Sequence, residues 1–325
     1  MDVLLTGAFG NIGQNALSAL LAAGHSVRCF DIPTRANRAR AAAFQKRAGE
    51  QIELAWGDLR SLTDLRAAVQ GVQTVLHLGF VIPRLSATGV NSEAQPDFAR
   101  AVNVGGARNL IEAMRAEEHP PRLIFASSLH VYGKTQHLAP PRTVADLPHP
   151  VEHYAHHKVE VESMVRQSGL QWCILRLGAA LPLRLILDPG MFDVPLDNRI
   201  EFVHTRDAGQ AFANAVDCAG VWGRTLLIGG GQACQLYYRQ MMAQVLDAVG
   251  IGPLPERLFN REPYSTDWLD TGDSQALLHF QTRTFADYTA DLRRMLGPLR
   301  RLVIFFRPLV RRYLMGKSPW YEPVG

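Results

Sequence analysis

Residues 1–14 read MDVLLTGAFGNIGQ, a short apolar run that leads directly into a glycine-rich turn. The apolar run, residues 3–5, has no helical period and predicts a strand. An alanine- and leucine-rich pattern over residues 15–23 predicts a helix. A G-x-x-G-x-x-G spacing between a strand and a helix is typical of dinucleotide binding, and this context disfavours an ordinary βα turn.

Each glycine of this turn has its own expected role. Gly7 permits the tight turn, and Gly10 lets the backbone approach a pyrophosphate with no Cβ in the way. Gly13 lets the helix lie close to the strand, and the helix N-terminus offers unpaired N–H groups and partial positive charge to the phosphates. Three neighbours in the turn are also expected to contact the cofactor: Phe9, Asn11 and Ile12.

The composition is that of an ordinary globular protein, with 47% hydrophobic and 20% charged residues among 325. This length accommodates one large α/β domain with an appendage, or two modest domains. The four cysteines lack C-x-x-C spacing, which favours buried thiols in a reducing compartment and a cytoplasmic protein. The N-terminus does not resemble a signal peptide, and no stretch approaches the ~20 apolar residues of a membrane span.

The basic charge is concentrated at the C-terminus. From Arg293 onward there are eight basic residues and one acidic residue, a net charge of +7, so residues 1–292 carry −3. The body is therefore mildly acidic, and we expect no nucleic-acid partner. Residues 299–315 read LRRLVIFFRPLVRRYLM, and Pro308 is expected to kink or break a helix there. The pattern favours a terminal helix docked on the body or on a second subunit over one lying on an anionic membrane surface.

Strand and helix patterns alternate along most of the chain, which predicts an α/β fold with a doubly wound parallel sheet of the Rossmann type. We expect residues 1–177 to form the dinucleotide-binding domain, to which residues 201–229 return. Residues 178–200 and 230–296 are expected to form a small substrate-binding or lid region, and residues 297–325 a basic, apolar tail. Further strands are predicted at 26–31, 51–56, 74–78, 123–127, 171–176 and 225–228, and helices at 62–69, 97–117, 207–217, 236–249 and 285–296.

Two acids follow predicted strands. Asp31 ends the second strand, where a dinucleotide-binding fold places a carboxylate against the adenosine ribose. A carboxylate there repels the 2′-phosphate of NADP, so NAD is favoured, although Arg35 and Arg38 lie close enough to serve a phosphate instead. Asp31 could equally cap the following helix. Asp58 is a candidate partner of the adenine amino group or a loop acid near a helix start.

A tyrosine, a lysine and a serine form the candidate catalytic set. Tyr154 and Lys158 stand four residues apart, which places them on one face of a helix. A lysine ammonium there is expected to lower the pKa of the tyrosine, so that the phenol exchanges a proton with a substrate oxygen near neutral pH. Ser128 ends the fifth strand, at the sheet edge where ligands bind, and is expected to hold that oxygen.

With these residues in place, the sequence resembles the extended short-chain dehydrogenases/reductases, in particular the NAD-dependent epimerase/dehydratase group. The resemblance covers residues 1 to about 230. It is carried by TGAFGNIG at 6–13, GDL at 57–59, HLGF at 77–80, NVGG at 103–106, SSLHVYG at 127–133, YAHHK at 154–158 and FVHTRDA at 202–208.

The resemblance implies roles for individual residues. Tyr154 would be the acid/base, Lys158 would bind the nicotinamide ribose and tune the tyrosine, and Ser128 would take the serine role. Asn103 would help shape the cofactor site, unless it is a helix-packing residue, and a homodimer would form through the helices that carry Asn103 and Tyr154. Further cofactor contacts are expected from Leu59, Leu78, Gly79 and Leu177.

Two departures from the family pattern bear on the substrate. The usual H-L-A-A reads H-L-G-F here, so Phe80 is expected near the substrate. The usual substrate-binding insertion is short, which weakens the transfer of a sugar-nucleotide substrate and favours a smaller or more lipid-like alcohol. His130 is a second candidate substrate contact, and Leu129 with His130 replaces the Asp-Glu pair of the dehydratases. His149, His153 and His157 lack a companion carboxylate motif, so no metal site is expected.

The sequence thus predicts an NAD(P)-dependent oxidoreductase that acts on a small-molecule secondary alcohol or its ketone, with NADP the less favoured cofactor. A nucleotide-sugar epimerase that uses tightly bound NAD is the alternative within the family. A non-catalytic dinucleotide-sensing module is the alternative of another class, and the intact Ser128, Tyr154 and Lys158 disfavour it.

Overall fold

A seven-stranded parallel sheet forms the centre of the structure, a computed structural model that describes residues 1–83, 89–185 and 188–321. Its strands are β1 Val3–Thr6, β2 Val27–Asp31, β3 Ile52–Trp56, β4 Thr74–His77, β5 Arg122–Ser128, β6 Trp172–Leu177 and β8 Arg224–Ile228. Their spatial order is β3-β2-β1-β4-β5-β6-β8, and every neighbouring pair is parallel. The order reverses direction at β1, so a crevice opens between β1 and β4 at the carboxyl ends of the strands.

Helices cover both faces of this sheet. They are α1 Asn11–Ala22, α2 Arg35–Ala48, α3 Leu62–Val69, α4 Pro96–Arg100, α5 Gly106–Arg115, α6 His153–Arg166 and α7 Thr205–Asp217. A π-helical turn, Ala101–Gly105, joins α4 and α5 into one long helix. Side chains alternate along β1, so Leu5 packs with α1, α2 and α7 on one face and Leu4 with α3, α5 and α6 on the other. The predicted doubly wound fold is confirmed.

The first helix begins earlier than predicted. It starts at Asn11 rather than near residue 15, which places Gly13 in its first turn. On the same face of the sheet α1 packs closely on α7, where a Cβ on Gly209 would stand 2.4 Å from the carbonyl carbon of Asn15. The helix that follows the glycine turn is therefore held by the sheet and by α7.

A second apolar cluster lies outside the sheet. It includes Phe192, Phe202, Leu246 and Leu292 and packs a two-stranded antiparallel sheet and the C-terminal helices together. The elements are β7 Arg199–Glu201, β9 Gln235–Tyr237, α8 Tyr238–Val249, α10 Phe285–Leu296, α11 Pro298–Phe305 and α12 Arg307–Met315. The short helix α9, Gly272–Leu278, lies instead against α7 and β8. The β7–β9 pair and α9 were not predicted, because three-residue strands and a seven-residue helix carry little periodicity.

The basic tail forms α11 and α12, with the break that Pro308 predicts, since this proline lies in the first turn of α12. Arg300 donates to the carbonyl oxygen of Ala248 at 2.9 Å, and Arg307 donates to that of Gly250 at 2.9 Å. These carbonyls mark the C-terminal end of α8, where cations are stabilised. In the part of the chain that the structure describes, no helix is both long enough and apolar enough to cross a bilayer.

One buried charge cluster joins α6 to the sheet. Glu162 is fully buried and accepts hydrogen bonds from Arg176 at 2.7 and 2.9 Å and from Ser127 at 2.6 Å. Burial alone would raise the pKa of Glu162, but the hydrogen bonds and charge of Arg176 hold it below the ordinary value. Arg176 also donates to the hydroxyl of Tyr132 at 2.8 Å. These contacts fix α6 against β5 and β6.

Replacing Arg176 by Met should lower the free energy of unfolding by about 3–5 kcal/mol, because it leaves a buried carboxylate without its main partner. Arg166→Met is the matched control, since Arg166 binds the same carboxylate from a side chain that is 37% exposed, and it should cost less than about 1 kcal/mol. Urea unfolding followed by circular dichroism measures both. Equal losses in the two variants would contradict the assignment of Arg176 as the main partner.

Candidate active site

A cavity of about 1140 Å³ follows the carboxyl ends of the strands. Ligand sites in proteins usually measure ~300–1,000 Å³, so it can hold a ligand of dinucleotide size. Most of the predicted site residues line it: Gly7, Phe9, Gly10, Asn11, Ile12, Gly13, Asp31, Asp58, Leu59, Leu78, Gly79, Phe80, Ser128, Tyr154, Lys158 and Leu177. Two predicted residues, Asn103 and His130, do not belong to this lining.

The glycine turn is too tight for side chains. Gly7 has φ +67°, and a Cβ on Gly13 would stand 2.1 Å from the Gly7 carbonyl oxygen. Gly10 is the N-cap of α1 and provides no side-chain cap, so the first N–H groups of the helix point toward the cavity without a side-chain acceptor. Such a turn presents backbone donors and the positive end of a helix to an anion, which fits a pyrophosphate.

Asp31 lies at the far end of the cavity from Tyr154, in a network of donors. Its carboxylate accepts from the backbone N–H of Phe9 at 2.9 Å and from the side chain of Asn37 at 3.0 Å. Burial raises the pKa of Asp31, while the hydrogen bond from Phe9 opposes that shift. The predicted Arg35 and Arg38 do not line the cavity. Two other arginines of α2 do: Arg40 and Arg47.

The tips of β1 and β4 are tied together beside the turn. The Thr6 hydroxyl lies 2.8 Å from His77 Nδ1 and accepts from the N–H groups of Leu78 and Gly79 at 3.1 Å each. Burial lowers the pKa of His77 to about 3, so this ring is neutral. The backbones of residues 7 and 79 consequently lie so close that a Cβ on Gly7 would stand 2.8 Å from Gly79 Cα.

Asp58 pairs with Arg60 at 2.6 Å at the cavity edge, and this hydrogen bond is the main cause of the lowered pKa of Asp58. Asn103 does not line the cavity itself. Its side-chain oxygen accepts from the N–H of Val81 at 2.7 Å, and its amide donates to the Val81 carbonyl oxygen at 2.9 Å. Asn103 therefore fixes the segment after β4 and shapes the cavity through Val81, which lines it.

Tyr154 and Ser128 both line the cavity. Burial raises the pKa of Tyr154 to about 12, although the interaction with the Ser128 side chain opposes the shift. Ser128 also accepts from the N–H of His130 at 3.2 Å, which orients its hydroxyl. A hydroxyl pair of this kind can hold a substrate oxygen and exchange a proton with it.

Lys158 does not tune the tyrosine in the predicted way. Its ammonium donates to the carbonyl oxygen of Ala126 at 2.5 Å and lies 5.6 Å from the Tyr154 ring centroid. The ring of Phe80 covers it at 3.5 Å and also packs edge-on against Tyr154. Burial holds the pKa of Lys158 well below its ordinary value, against the attraction of Glu162. The departure from the family pattern at position 80 therefore places an aromatic ring over the lysine.

Glu93 is a site residue that sequence reasoning missed. Its carboxylate accepts from the backbone N–H groups of His153 and Tyr154 at 2.9 and 3.0 Å, so it caps the start of α6 from a distant segment. The N–H of Glu93 in turn donates to the Asn91 side chain at 2.8 Å, a local turn that orients it. Only that asparagine-centred turn could have signalled the position in the sequence.

His130 lies beside Tyr154 although it is outside the cavity lining. Its ring packs edge-on against Tyr154 and Tyr264, with centroids 5.9 and 5.7 Å away. Its Nδ1 lies 3.6 Å from a carboxylate oxygen of Glu152. No group of three or more potential metal ligands occurs among residues 1–83, 89–185 and 188–321.

Comparison with known proteins identifies the family. Residues 3–181 match the model of the NAD dependent epimerase/dehydratase family. The chain belongs to this family. The family predicted from the motifs is thereby confirmed, and NAD as the expected cofactor agrees with it.

Curated relatives match over shorter stretches. A 139-residue stretch, 42% of this chain and 34% of the relative, is 36% identical to the 3 beta-hydroxysteroid dehydrogenase/Delta 5-->4-isomerase of Mycobacterium tuberculosis. The sterol-4-alpha-carboxylate 3-dehydrogenase, decarboxylating, of Homo sapiens is 30% identical over 162 residues, 49% of this chain and 38% of the relative. The matches thus span little more than a third of these two relatives.

Solved structures match over nearly the whole chain. The UDP-glucose-4-epimerase from Stenotrophomonas maltophila, with bound NAD and formylated UDP-arabinopyranose, has a TM-score of 0.75 at 20% identity and covers 93% of this chain and 99% of its own. The dTDP-glucose 4,6-dehydratase DesIV from Streptomyces venezuelae, as a double mutant with NAD bound, has a TM-score of 0.74 at 24% identity, with 93% and 98% covered. At these identities the likeness establishes the fold.

Replacing Phe80 by Ala should tighten NADH binding about five- to thirtyfold. A ligand that contacts Lys158 must displace the ring, and a desolvated cation–π contact is worth about 1–2 kcal/mol. Titration calorimetry with NADH measures the change. Phe98→Ala is the control, because Phe98 also lines the cavity but packs against Arg60. Weaker binding by the Phe80 variant alone would show that the ring supports the ligand instead.

Proposed function

We propose that this protein is an NAD-dependent oxidoreductase that interconverts a secondary alcohol and its ketone, with Tyr154 as the acid/base. The observation that carries the proposal is that Tyr154, Ser128 and Lys158 line the same cavity as the glycine turn. The expected homodimer through the helices of Asn103 and Tyr154 and the expected cytoplasmic location remain predictions.

Different parts of the cavity would bind different parts of the cofactor. The glycine turn and the N-terminus of α1 would hold the pyrophosphate, and Asp31 would accept from the adenosine ribose. A carboxylate at this position would repel a 2′-phosphate, which supports NAD over NADP. Bound nicotinamide would supply the hydride chemistry, and the protein supplies the orientation and the proton.

The proton moves through Tyr154. In ketone reduction the neutral phenol donates its proton to the substrate oxygen, and in alcohol oxidation the phenolate accepts it. Ser128 holds the same oxygen by a hydrogen bond, which positions the carbon for hydride transfer. Lys158 would contribute once Phe80 no longer covers its ammonium, since a cation close to the phenol favours the phenolate.

An apolar, lipid-like alcohol is the substrate class that we propose. Besides Phe80, the cavity lining includes the apolar residues Val81, Ile82, Val90, Val102, Pro182 and Leu183. A sugar would bury several hydroxyls here and would need a polar partner for each. Two relatives are named for steroid and sterol substrates, in agreement with this class.

A nucleotide-sugar epimerase is the second candidate. Arg184, Arg206 and Thr205 line the same cavity, and such groups suit a diphosphate. The same Tyr154 chemistry would then oxidise the sugar and reduce it again on the opposite face. A dinucleotide-sensing module without catalysis would not require both Tyr154 and Ser128 on the cavity wall.

Replacing Tyr154 by Phe should lower the turnover rate about 10²–10⁴-fold and leave NADH affinity unchanged, because only the acid/base hydroxyl is lost. A screen of steroid, terpenoid and aromatic alcohols, with nucleotide sugars as a second panel, measures turnover through NADH absorbance. Tyr237→Phe is the control, since that tyrosine is 43% exposed on β9. Full turnover in the Tyr154 variant, or no turnover by the unmodified protein in either panel, would contradict the proposal.

The two reaction directions should differ in their pH dependence. As long as Phe80 covers Lys158, a Tyr154 pKa of about 12 makes the phenolate fraction rise about tenfold per pH unit, so kcat/KM for alcohol oxidation should rise in proportion between pH 7 and 9. Ketone reduction uses the neutral phenol, so its kcat/KM should stay nearly constant over this range. An oxidation rate that levels off near pH 7 would show that the pKa is lowered in the functioning enzyme.

A further inference from the structure

The two C-terminal helices expose a continuous apolar surface, which we call the terminal apolar face. It comprises Leu302, Phe305, Phe306, Leu309 and Tyr313, spaced so that they follow one side of α11 and α12 across the break. Phe305 is 77% exposed and Leu309 64%, values that are unusual for large apolar side chains on ordered helices. Met295, Leu299 and Trp320 extend the exposed apolar surface at its ends.

The opposite side of these helices is firmly docked. Val303 and Leu314 are buried in the second apolar cluster, together with the end of α10. Arg300, Arg307 and Arg311 donate to backbone carbonyl oxygens within residues 247–253. These five hydrogen bonds hold α11 and α12 in one orientation, with the terminal apolar face exposed.

The charged residues of the segment that carries this face are all basic. Residues 292–321 contain no Asp or Glu. Arg293 and Arg294 pair with acids of α8 and α10, whereas Arg301 and Arg312 are exposed and have no ion pair within the described part of the chain. A surface that combines exposed apolar side chains with unpaired arginines is complementary to the interface of an anionic bilayer, where apolar groups enter the acyl boundary and cations contact the headgroups.

We propose that α11 and α12 attach this protein to an anionic membrane surface through the terminal apolar face. The helices lie on the bilayer and do not cross it, because each has fewer than ten residues. A second copy of this chain is a poorer occupant. A twofold contact on this face would bring two tails of net charge +7 together without compensating acids.

The apolar cluster on which α11 and α12 dock also reaches the cavity. Leu183 lines the cavity, and it packs on the same apolar cluster that receives Val303 and Leu314. The second apolar cluster therefore both receives α11 and α12 and borders the cavity. The attachment rests on the tail alone and does not require the proposed function.

Flotation of the full-length protein with vesicles tests the proposal. Equal parts of phosphatidylglycerol and phosphatidylcholine should bind the protein, pure phosphatidylcholine should bind it at least about tenfold more weakly, and added salt should weaken binding to the anionic vesicles. Phe305→Ser with Leu309→Ser should weaken binding at least about tenfold, and so should Arg301→Glu with Arg312→Glu. The substituted side chains are exposed, so thermal stability should not change.

The controls use exposed residues elsewhere. Leu147→Ser removes a side chain that is 74% exposed, and Arg115→Glu reverses an exposed charge at the end of α5; neither should change vesicle binding. Absence of binding to anionic vesicles would overturn the proposal. So would light scattering in which Phe305→Ser with Leu309→Ser turns an unmodified dimer into a monomer while vesicle binding is unaffected, because the face would then join two copies.

Discussion

The buried carboxylate of Glu162 constrains the rest of this structure. An ion in the interior costs several kcal/mol unless its partners are correctly placed, and here they come from two neighbouring strands, Arg176 on β6 and Ser127 on β5. Helix α6 can satisfy this carboxylate in only one register. Lys158 precedes Glu162 by one helical turn and Tyr154 precedes it by two, so the same register sets the height of both side chains over the sheet edge.

A second constraint joins the tips of β1 and β4. Thr6 joins β1 to β4 through His77 and the two following N–H groups, and residues 7 and 79 approach each other with no room for a Cβ. The crevice at the point where strand order reverses is thus held by short polar contacts on its floor. Glu93 and Asn103 extend this support, since one caps α6 and the other fixes Val81.

Local sequence pattern carried most of the prediction. The glycine turn, the alternation of strands and helices and the Tyr154–Ser128 pair are readable because each depends on residue types at short spacing or on a known strand order. The coverage of Lys158 by Phe80 could not be read, since a lysine four residues from a tyrosine is equally compatible with the tuned arrangement. Glu93 bonds to a residue 60 positions away in the sequence, and Asn103 to one 22 positions away. At these separations the spacing of residue types does not predict a contact. The small β7–β9 sheet is too short to leave a pattern.

The cap that Glu93 places on α6 has a consequence for how the site responds to its surroundings. Residues 89–95 border the cavity at Val90, and two hydrogen bonds link that segment to the first turn of the helix that carries the tyrosine. Ligand contact with residues 89–95 and the orientation of the Tyr154 phenol are consequently coupled. A ligand that orders residues 89–95 would therefore also favour one orientation of the Tyr154 hydroxyl. Conversely, that orientation would favour ligand binding by the same free energy.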